Sequence, residues 1–302
     1  MIHIVGAGPG AVDLITVRGQ KLLSEADVVI YAGSLVSRDL LGWARQDARI
    51  YDSASMDLEQ VMEVMEQAER DGLTTVRLHT GDPCLYGAIR EQMDGLDARG
   101  IKYDICPGVS SFCGAAAALG MEYTLPGISQ SVVITRMAGR TPVPERESIG
   151  KFAAHGSTMV IFLSAGMTGE LSEELVKGGY PGDTPAAIVY KATWPDEKVV
   201  RCTVATLEET ADREGIHKTA LIVVGNTVAQ TGYERSKLYD PAFTTGFRAG
   251  REIVPGKLEP GTLYVVGMGP GEKKQMTGQA LEVMGRCQVI AGYTVYVDLV
   301  RG

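Results

Sequence analysis

The chain contains 302 residues, of which 45% are apolar and 37 are glycine, a composition that suits a soluble protein with the cores of two ordinary α/β domains. Its net charge of −8 argues against nucleic-acid binding, because that binding depends on Lys and Arg side chains that neutralise phosphates. No apolar run approaches the roughly 20 residues of a membrane helix, and the N-terminus lacks the basic and apolar regions of a secretory signal. We therefore expect a cytoplasmic protein with neither a nucleic-acid nor a membrane partner.

The cysteines and histidines do not suggest a disulfide framework or a metal site. The five cysteines include no C-x-x-C pair and their number is odd, so we expect free thiols. The four histidines lie far apart, and none has ligand spacing from a cysteine or a carboxylate pair. The sequence therefore predicts no metal site.

Strand and helix patterns alternate through residues 1–120, which we predict to form the N-terminal domain. Such alternation is typical of a parallel sheet with helices on its faces. The predicted strands are 2–5, 27–31, 75–78 and 103–106, and the predicted helices are 16–25, 58–71, 88–99 and 109–119.

The pattern of residues 121–231 predicts a second, C-terminal α/β domain. Two of its strand patterns flank a single helix, which favours a mixed sheet. The predicted strands are 131–135, 158–163, 186–190, 199–203 and 220–224, and the predicted helices are 169–177 and 206–214. Residues 232–260 are rich in Tyr, Pro, Arg and Lys without periodicity, and we interpret them as a tail and linker.

An internal repeat changes the interpretation of the C-terminal residues. The sequence LYVVGMGPG at 263–271 repeats IHIVGAGPG at 2–10, and the match extends to Thr277 against Thr16 and Val289 against Val28. Residues 261–302 are thus predicted to be the incomplete start of a second related domain. About 40 residues cannot bury a core of their own, so this segment either is a piece of a longer fusion or docks on the first unit or a neighbouring chain.

The glycine-rich loop from Gly6 to Ala11 fits the dinucleotide pattern G-x-G-x-x-G/A, in which glycines let the backbone approach a pyrophosphate. A nicotinamide site also needs an acidic residue at the end of the second strand. That strand ends at Tyr31, and the nearby carboxylates Glu25 and Asp27 lie at its opposite end. Dinucleotide binding and a purely structural glycine turn are both possible interpretations of this loop.

Two further loops follow predicted strands of the first domain. His79 to Pro83 follows one strand, and Pro107 to Ser111 follows the next. Asp and Pro favour turns by themselves. However, the carboxyl ends of strands are where open α/β sheets bind their ligands, so two such loops at one sheet edge predict a shared pocket.

Four motifs in order resemble the tetrapyrrole methylase family over about residues 1–230. They are GAGPG at 6–10, GDPCLYG at 81–87, PGVSS at 107–111 and YKATWPDEKVVR at 190–201. Within the family, TRMAGRTPVPE at 135–145 and KATWPDEK at 191–198 resemble the branch that methylates precorrin-4 or cobalt-precorrin-4 at carbon 11 in cobalamin biosynthesis. GMGPG and GYTVYVDLV in the closing segment resemble the start of the branch that acts on precorrin-3B at carbon 17, as a fusion of two pathway enzymes would.

The resemblance implies two α/β domains with S-adenosyl-L-methionine in the cleft between them, S-adenosyl-L-homocysteine as product, a tetrapyrrole substrate and a homodimer. Carried over by motif, the cofactor-binding residues are Pro9, Gly81, Asp82, Leu85, Tyr86, Ser110, Ser111, Leu163, Ser164, Tyr190, Ala192, Ala220 and Leu221. The cations expected to bind the acetate and propionate groups of the macrocycle are Arg136, Arg140, Lys191 and Lys198.

Methyl transfer from a sulfonium is an in-line displacement that depends mainly on alignment, so no strong base is required. Asp82 is the catalytic candidate, as a group that orients the reactants or removes a proton, and a role in the turn and in cofactor contact is the alternative. Three other functions stay open: another methyltransferase of the same fold, a nicotinamide-dependent oxidoreductase, and a ligand-binding module without activity.

Overall fold

The computed structural model describes residues 1–250 and 261–300, which divide into two units. The first unit comprises residues 1–114, 191–196 and the described part of 264–302; the second comprises 115–190 and the described part of 197–263. The division after residue 114 lies close to the predicted boundary at 120. Two differences from the predicted domains are that 191–196 belongs to the first unit and that the C-terminal segment joins this unit as well.

A fully parallel five-stranded sheet forms the centre of the first unit, as predicted. Its order is β3-β2-β4-β1-β5. The central strands β2 and β4 are buried along their whole length, as expected for a parallel sheet covered on both faces, although β4 includes the polar residues Thr75, Arg77 and His79. The sequence interpretation missed β3, an edge strand of sequence RIYD whose first two residues are exposed. The strands are β1 (Ile2–Gly6), β2 (Val28–Tyr31), β3 (Arg49–Asp52), β4 (Thr75–His79) and β5 (Tyr103–Cys106).

The helices that follow these strands begin at side-chain caps where the sequence supplies them. Thr16 accepts a hydrogen bond from the Gly19 amide at the start of α1, and Asp57 and Gln60 form a reciprocal capping box at the start of α2. The helices are α1 (Val17–Glu25), α2 (Leu58–Arg70), α3 (Ile89–Ala98) and α4 (Ser111–Leu119). The last of these contains the boundary between the units.

The second unit contains a mixed sheet, which confirms the predicted fold class. Its order is β6-β7-β10-β8-β9; β6 and β7 are parallel and the other pairs are antiparallel. The strands are β6 (Val132–Arg136), β7 (Thr158–Phe162), β8 (Pro185–Tyr190), β9 (Lys198–Thr203) and β10 (Ala220–Val224), and the helices are α5 (Ile149–Ala153), α6 (Thr168–Lys177) and α7 (Leu207–Glu214). Met159, Leu171, Ile188 and Leu207 lie in its core.

The C-terminal segment contains α8 (Gly278–Arg286) and α9 (Thr294–Asp298) and docks on the first unit. The Val17 amide donates to the Met276 carbonyl at 2.8 Å, and the Met276 side chain is completely buried. The described part of this segment therefore packs on the first unit, and its interpretation as the start of a second related domain stays a prediction. Within residues 1–250 and 261–300, no helix has the length and apolar character needed to cross a bilayer.

Candidate functional site

Three glycines, one from each loop at the carboxyl edge of the parallel sheet, pack against one another. They are Gly6 at the end of β1, Gly81 after β4 and Gly108 after β5, and β1 lies between the other two strands. A Cβ on Gly6 would lie 2.6 Å from the Gly108 Cα and 2.7 Å from the Gly81 carbonyl oxygen. A Cβ on Gly108 would lie 2.2 Å from the Gly81 carbonyl oxygen, so this approach of the loops requires that Gly6 and Gly108 lack a side chain.

Asp82 joins two of these loops through its carboxylate. Oδ1 accepts a hydrogen bond from the Cys84 amide at 2.8 Å, and Oδ2 accepts one from the Gly108 amide at 2.9 Å. The hydrogen bond to Asp82, together with partial burial, raises the pKa of the Cys84 thiol to about 11. Cys84 is therefore a thiol at neutral pH and not a thiolate nucleophile.

The loop after Asp82 has a strained backbone. Tyr86 and Ala88 have φ angles of +54° and +49°, a region that residues with a Cβ adopt at a cost of about 1–3 kcal/mol and that is frequent at ligand sites. The Tyr86 side chain is exposed. The predicted contact residues Leu85 and Tyr86 thus lie on a loop held in an unusual conformation.

The start of α4 lies beside this loop. A Cβ on Gly81 would be 3.3 Å from the Ser111 amide nitrogen, and a Cβ on Gly114 would be 2.9 Å from the Pro9 Cβ. Ser110 is buried and its carbonyl accepts from the Cys113 amide. The structure thereby brings together the first-unit residues predicted from the sequence, namely Pro9, Gly81, Asp82, Leu85, Tyr86, Ser110 and Ser111.

The glycine-rich loop itself is covered by protein groups. The amides of Ala7 and Gly8 donate to the carbonyls of His79 and Gly81, at 2.7 and 3.2 Å, and the Ala11 amide donates to Thr193 Oγ1 at 3.0 Å. Three of its backbone donors therefore already have partners. A pyrophosphate site needs such donors unpaired, and the arrangement disfavours the dinucleotide interpretation.

Trp194, which belongs to the segment 191–196 of the first unit, covers the same glycine-rich loop. Its indole Nε1 donates to the Pro9 carbonyl at 3.0 Å, and a Cβ on Gly10 would overlap its ring. Lys191 Nζ forms an ion pair with Asp196 at 2.6 Å and lies 5.2 Å from the centre of the Trp194 ring. Sequence analysis included Lys191 and the buried Ala192 but missed Trp194, whose position beside the glycine loop leaves no periodic signal.

The predicted residues of the second unit gather at one edge of the mixed sheet. Arg136 at the end of β6 pairs with Phe162 at the end of β7, and Tyr190 at the end of β8 pairs with both Ala220 and Lys198. Because β10 runs antiparallel to β7 and β8, its first residues, Ala220 and Leu221, lie at this edge.

Leu163 and Ser164 follow β7 at this edge and differ in their exposure. Leu163 has a φ of +53° and its side chain is 65% exposed. Ser164 is completely buried; its hydroxyl accepts from the Met137 amide at 2.9 Å and donates to the Phe162 carbonyl at 2.7 Å. The Ser164 side chain therefore fixes the loop, whereas the Leu163 side chain beside it is exposed to solvent.

The predicted substrate cations have different surroundings. The Arg136 guanidinium donates to the carbonyls of Met137, Thr141 and Pro142 at 3.0–3.2 Å and so shapes the loop that follows β6. Arg140 and Lys198 are exposed, and neither pairs with a carboxylate in the part of the chain that the structure describes. These two cations are available to an anionic ligand.

His79 is predicted in the loop after the strand 75–78, without a role of its own, and is instead the buried last residue of β4. Burial, and secondarily the positive charge of Arg77, lowers its pKa to about 3, so the ring is neutral. Its Nε2 has no hydrogen-bond partner among the described residues. Only the burial pattern of a parallel strand could have indicated it.

Comparisons with known proteins identify the family of the chain. A profile of the family described as Tetrapyrrole (Corrin/Porphyrin) Methylases matches residues 1–208. The cobalt-precorrin-4 C(11)-methyltransferase of Methanocaldococcus jannaschii is 52% identical over 247 residues, which cover 82% of this chain and 95% of that protein. The precorrin-4 C(11)-methyltransferase of a Sinorhizobium species is 45% identical, with 83% and 99% covered.

Solved structures give the same result. A crystal structure of a cobalt precorrin-4 methyltransferase superposes with a TM-score of 0.74 at 48% identity, covering 75% of this chain and 95% of that one. A uroporphyrin-III C-methyltransferase from Thermus thermophilus, complexed with S-adenosyl homocysteine, gives a TM-score of 0.66 at 25% identity, with 76% and 99% covered. With the profile match spanning more than half of its length, the chain belongs to the tetrapyrrole methylase family.

Proposed function

We propose that the chain is an S-adenosyl-L-methionine-dependent methyltransferase that methylates precorrin-4 or cobalt-precorrin-4 at carbon 11. The observation that carries this proposal is the joined loop pair around Asp82, whose motifs are those of the family. It is supported by relatives of that named activity, which are matched over 95% or more of their length.

The first-unit residues fit an S-adenosyl-L-methionine ligand. Gly81 leaves open the space beside the Ser111 amide that a Cβ would fill, and the left-handed backbone at Tyr86 turns an exposed aromatic side chain outward. Gly81, Asp82, Tyr86, Ser110 and Ser111 would hold the cofactor. When bound, its sulfonium supplies an already activated methyl group.

The role of the protein residues is alignment. Both carboxylate oxygens of Asp82 accept backbone N–H groups, so Asp82 holds two loops in register. This favours its positioning role over proton removal, although the predicted catalytic role stays a prediction. Fixing the reacting groups in an in-line geometry can supply about 7–11 kcal/mol, which removes the need for a strong base.

The macrocycle carries acetate and propionate groups, and the net charge of this chain is −8. Binding therefore depends on local cations. We assign this role first to Arg140 and Lys198, which are exposed. Arg136 contributes mainly by organising residues 137–142 through its three carbonyl contacts.

The first test is calorimetric titration with S-adenosyl-L-homocysteine and, separately, with NAD and NADP. We expect the homocysteine compound to bind and neither dinucleotide to do so, because the amides of Ala7, Gly8 and Ala11 are already paired. Binding of a nicotinamide cofactor without S-adenosyl-L-homocysteine would reject the proposal.

A matched pair of variants separates the specific role of Asp82 in the loops from the general effect of removing a negative charge. Asp82→Ala removes the acceptor of two loop amides, and we expect binding of S-adenosyl-L-homocysteine to weaken by at least about tenfold, since each such charged hydrogen bond contributes about 1.5–3 kcal/mol. The control is Asp94→Ala, which changes an exposed carboxylate on α3 paired only with Arg90 among the described residues. Equal affinities of the two variants would contradict the role given to Asp82.

The substrate cations are tested by Arg140→Ala and Lys198→Ala in a methylation assay. Each is expected to raise the KM for the macrocycle and to leave the affinity for S-adenosyl-L-homocysteine unchanged. Lys151→Ala, an exposed position on α5, is the control. A parallel loss of both affinities would argue against a specific role in binding the macrocycle.

A further inference from the structure

Residues 273–287 contain the same succession of elements as residues 12–26, and the glycines Gly8 and Gly269 before them have similar conformations. Gly8 and Gly269 have φ angles of +80° and +72°, and a Cβ on either would lie 2.8 Å from the carbonyl oxygen six residues later. A 3-10 turn and a nine-residue helix follow in both copies. Thr16 and Thr277 cap their helices in the same way, accepting from Gly19 and Ala280 amides at 3.0 and 3.1 Å.

The two copies contact each other reciprocally. Thr16 lies opposite its own counterpart Thr277 in an isolated antiparallel bridge. The 3-10 turn at 273–275 packs on α1, and the equivalent turn at 12–14 packs on α8. The 3-10 turn of each copy thus packs on the helix of the other copy. This reciprocity is the pattern of an isologous two-fold interface.

Equivalent positions are buried in both copies. Met276 and Ala280 are buried, and so are their counterparts Ile15 and Gly19. The charge of Arg18 on α1 also acts on the C-terminal copy: the pKa of Glu272 lies below its ordinary value, chiefly through its hydrogen bond to Lys274 and to a smaller extent through the charge of Arg18.

We propose that residues 12–20 form a self-complementary pairing surface and that residues 272–286 of the same chain occupy it. Because the occupant is a copy of the surface it covers, a second chain could place its own residues 12–20 there with the same backbone geometry. The C-terminal segment therefore acts as an internal partner that prevents this face from pairing with another copy. In a pair of chains, Thr16 would lie opposite Thr16.

The internal contact is tested by the double variant Thr16→Cys/Thr277→Cys. Directly opposed residues of an antiparallel bridge have Cβ atoms about 4.5–5.5 Å apart, close to the range of a disulfide. The Cys106→Ala background is used, because the Cys106 thiol lies 3.6 Å from Thr16 Oγ1 and would compete. We expect an intrachain disulfide, identified by peptide mass mapping, and none with Thr16→Cys/Thr294→Cys as the control.

Self-pairing is tested by adding Met276→Asp to Thr16→Cys in the Cys106→Ala background. The new aspartate places a charge at a buried contact and is expected to release the C-terminal segment. We expect oxidation to give a covalent dimer linked through residue 16, whereas Thr16→Cys with Met276 intact stays without that link. Circular dichroism establishes that the variant is folded. Absence of the 16–277 disulfide, or a folded released variant without a 16–16 link, would overturn the proposal.

Discussion

Residues 2–31 and 263–292 share a sequence pattern but only part of a structure. In the first copy, Ile2, Ile4 and Val28 are buried in strands of the parallel sheet, each 1% exposed or less. Their counterparts Leu263, Val265 and Val289 are 81–93% exposed and lie outside any strand. The turn and the helix are alike in both copies, so the repeated sequence specifies those elements and leaves the strands undecided.

The difference follows from the range of the interactions that form each element. The turn and helix depend on contacts within about ten residues, such as the Thr16 and Thr277 caps, and a cap is worth about 1 kcal/mol wherever it occurs. A strand depends on partners elsewhere in the chain. β1 lies between β4 and β5, and the described residues supply no equivalent neighbours to 263–267.

The largest expected effect comes from truncating equivalent apolar residues. Ile4→Ala should lower the free energy of unfolding by about 2–5 kcal/mol, because it leaves a cavity in a closed core. Val265→Ala changes a residue that is 93% exposed and should remain within about 0.5 kcal/mol of the parent. Urea denaturation of both variants measures the contrast. A large loss for Val265→Ala would show that 263–267 is packed in solution.

A smaller effect concerns acid. The folded-state pKa of His79 is about 3, below its unfolded value of about 6.5, so the unfolded chain binds the proton first as the pH falls. Stability is therefore fully present above about pH 6.5 and is lost towards pH 3 by about 1.4 kcal/mol per pH unit. Residues 263–292 contain no histidine. His79→Gln should flatten this slope in denaturation measured between about pH 6 and 4, and parallel curves for the two proteins would contradict the assignment.

The smallest expected effect comes from removing the helix caps that residues 2–31 and 263–292 have in common. Thr16→Ala removes the α1 cap and should cost about 1 kcal/mol of global stability. Thr277→Ala removes the equivalent cap of α8 and should mainly speed amide exchange in 278–286, since this helix belongs to a small segment. Hydrogen exchange read by mass spectrometry distinguishes the two. If Thr277→Ala lowered global stability as much as Thr16→Ala, the segment would be part of the same cooperative core.

The sequence was sufficient for the features that depend on pattern. Apolar runs and turn residues predicted four of the five parallel strands and all five strands of the mixed sheet. The order of the motifs predicted that Gly81, Asp82 and Ser110 lie at one edge of the parallel sheet. The missed strand β3 has exposed residues at Arg49 and Ile50, so it carries little apolar signal.

The sequence was insufficient where tertiary contacts decide. Nothing in the local pattern predicts that Trp194 covers Gly10, or that the Arg136 guanidinium donates to backbone carbonyls and so shapes a loop. Both depend on chain segments that meet only after folding. The roles of the individual cofactor and substrate residues accordingly stay predictions until the variants are measured.

Residues 191–196 belong to the first unit although the chain on both sides belongs to the second. The first unit is therefore not encoded by one contiguous stretch of the gene. A single recombination breakpoint cannot separate its coding sequence from that of the second unit. A gene fragment ending at residue 114 would encode the glycine loop without Thr193, the acceptor of the Ala11 amide, and without the indole of Trp194 that donates to Pro9. The two units are consequently expected to be inherited together.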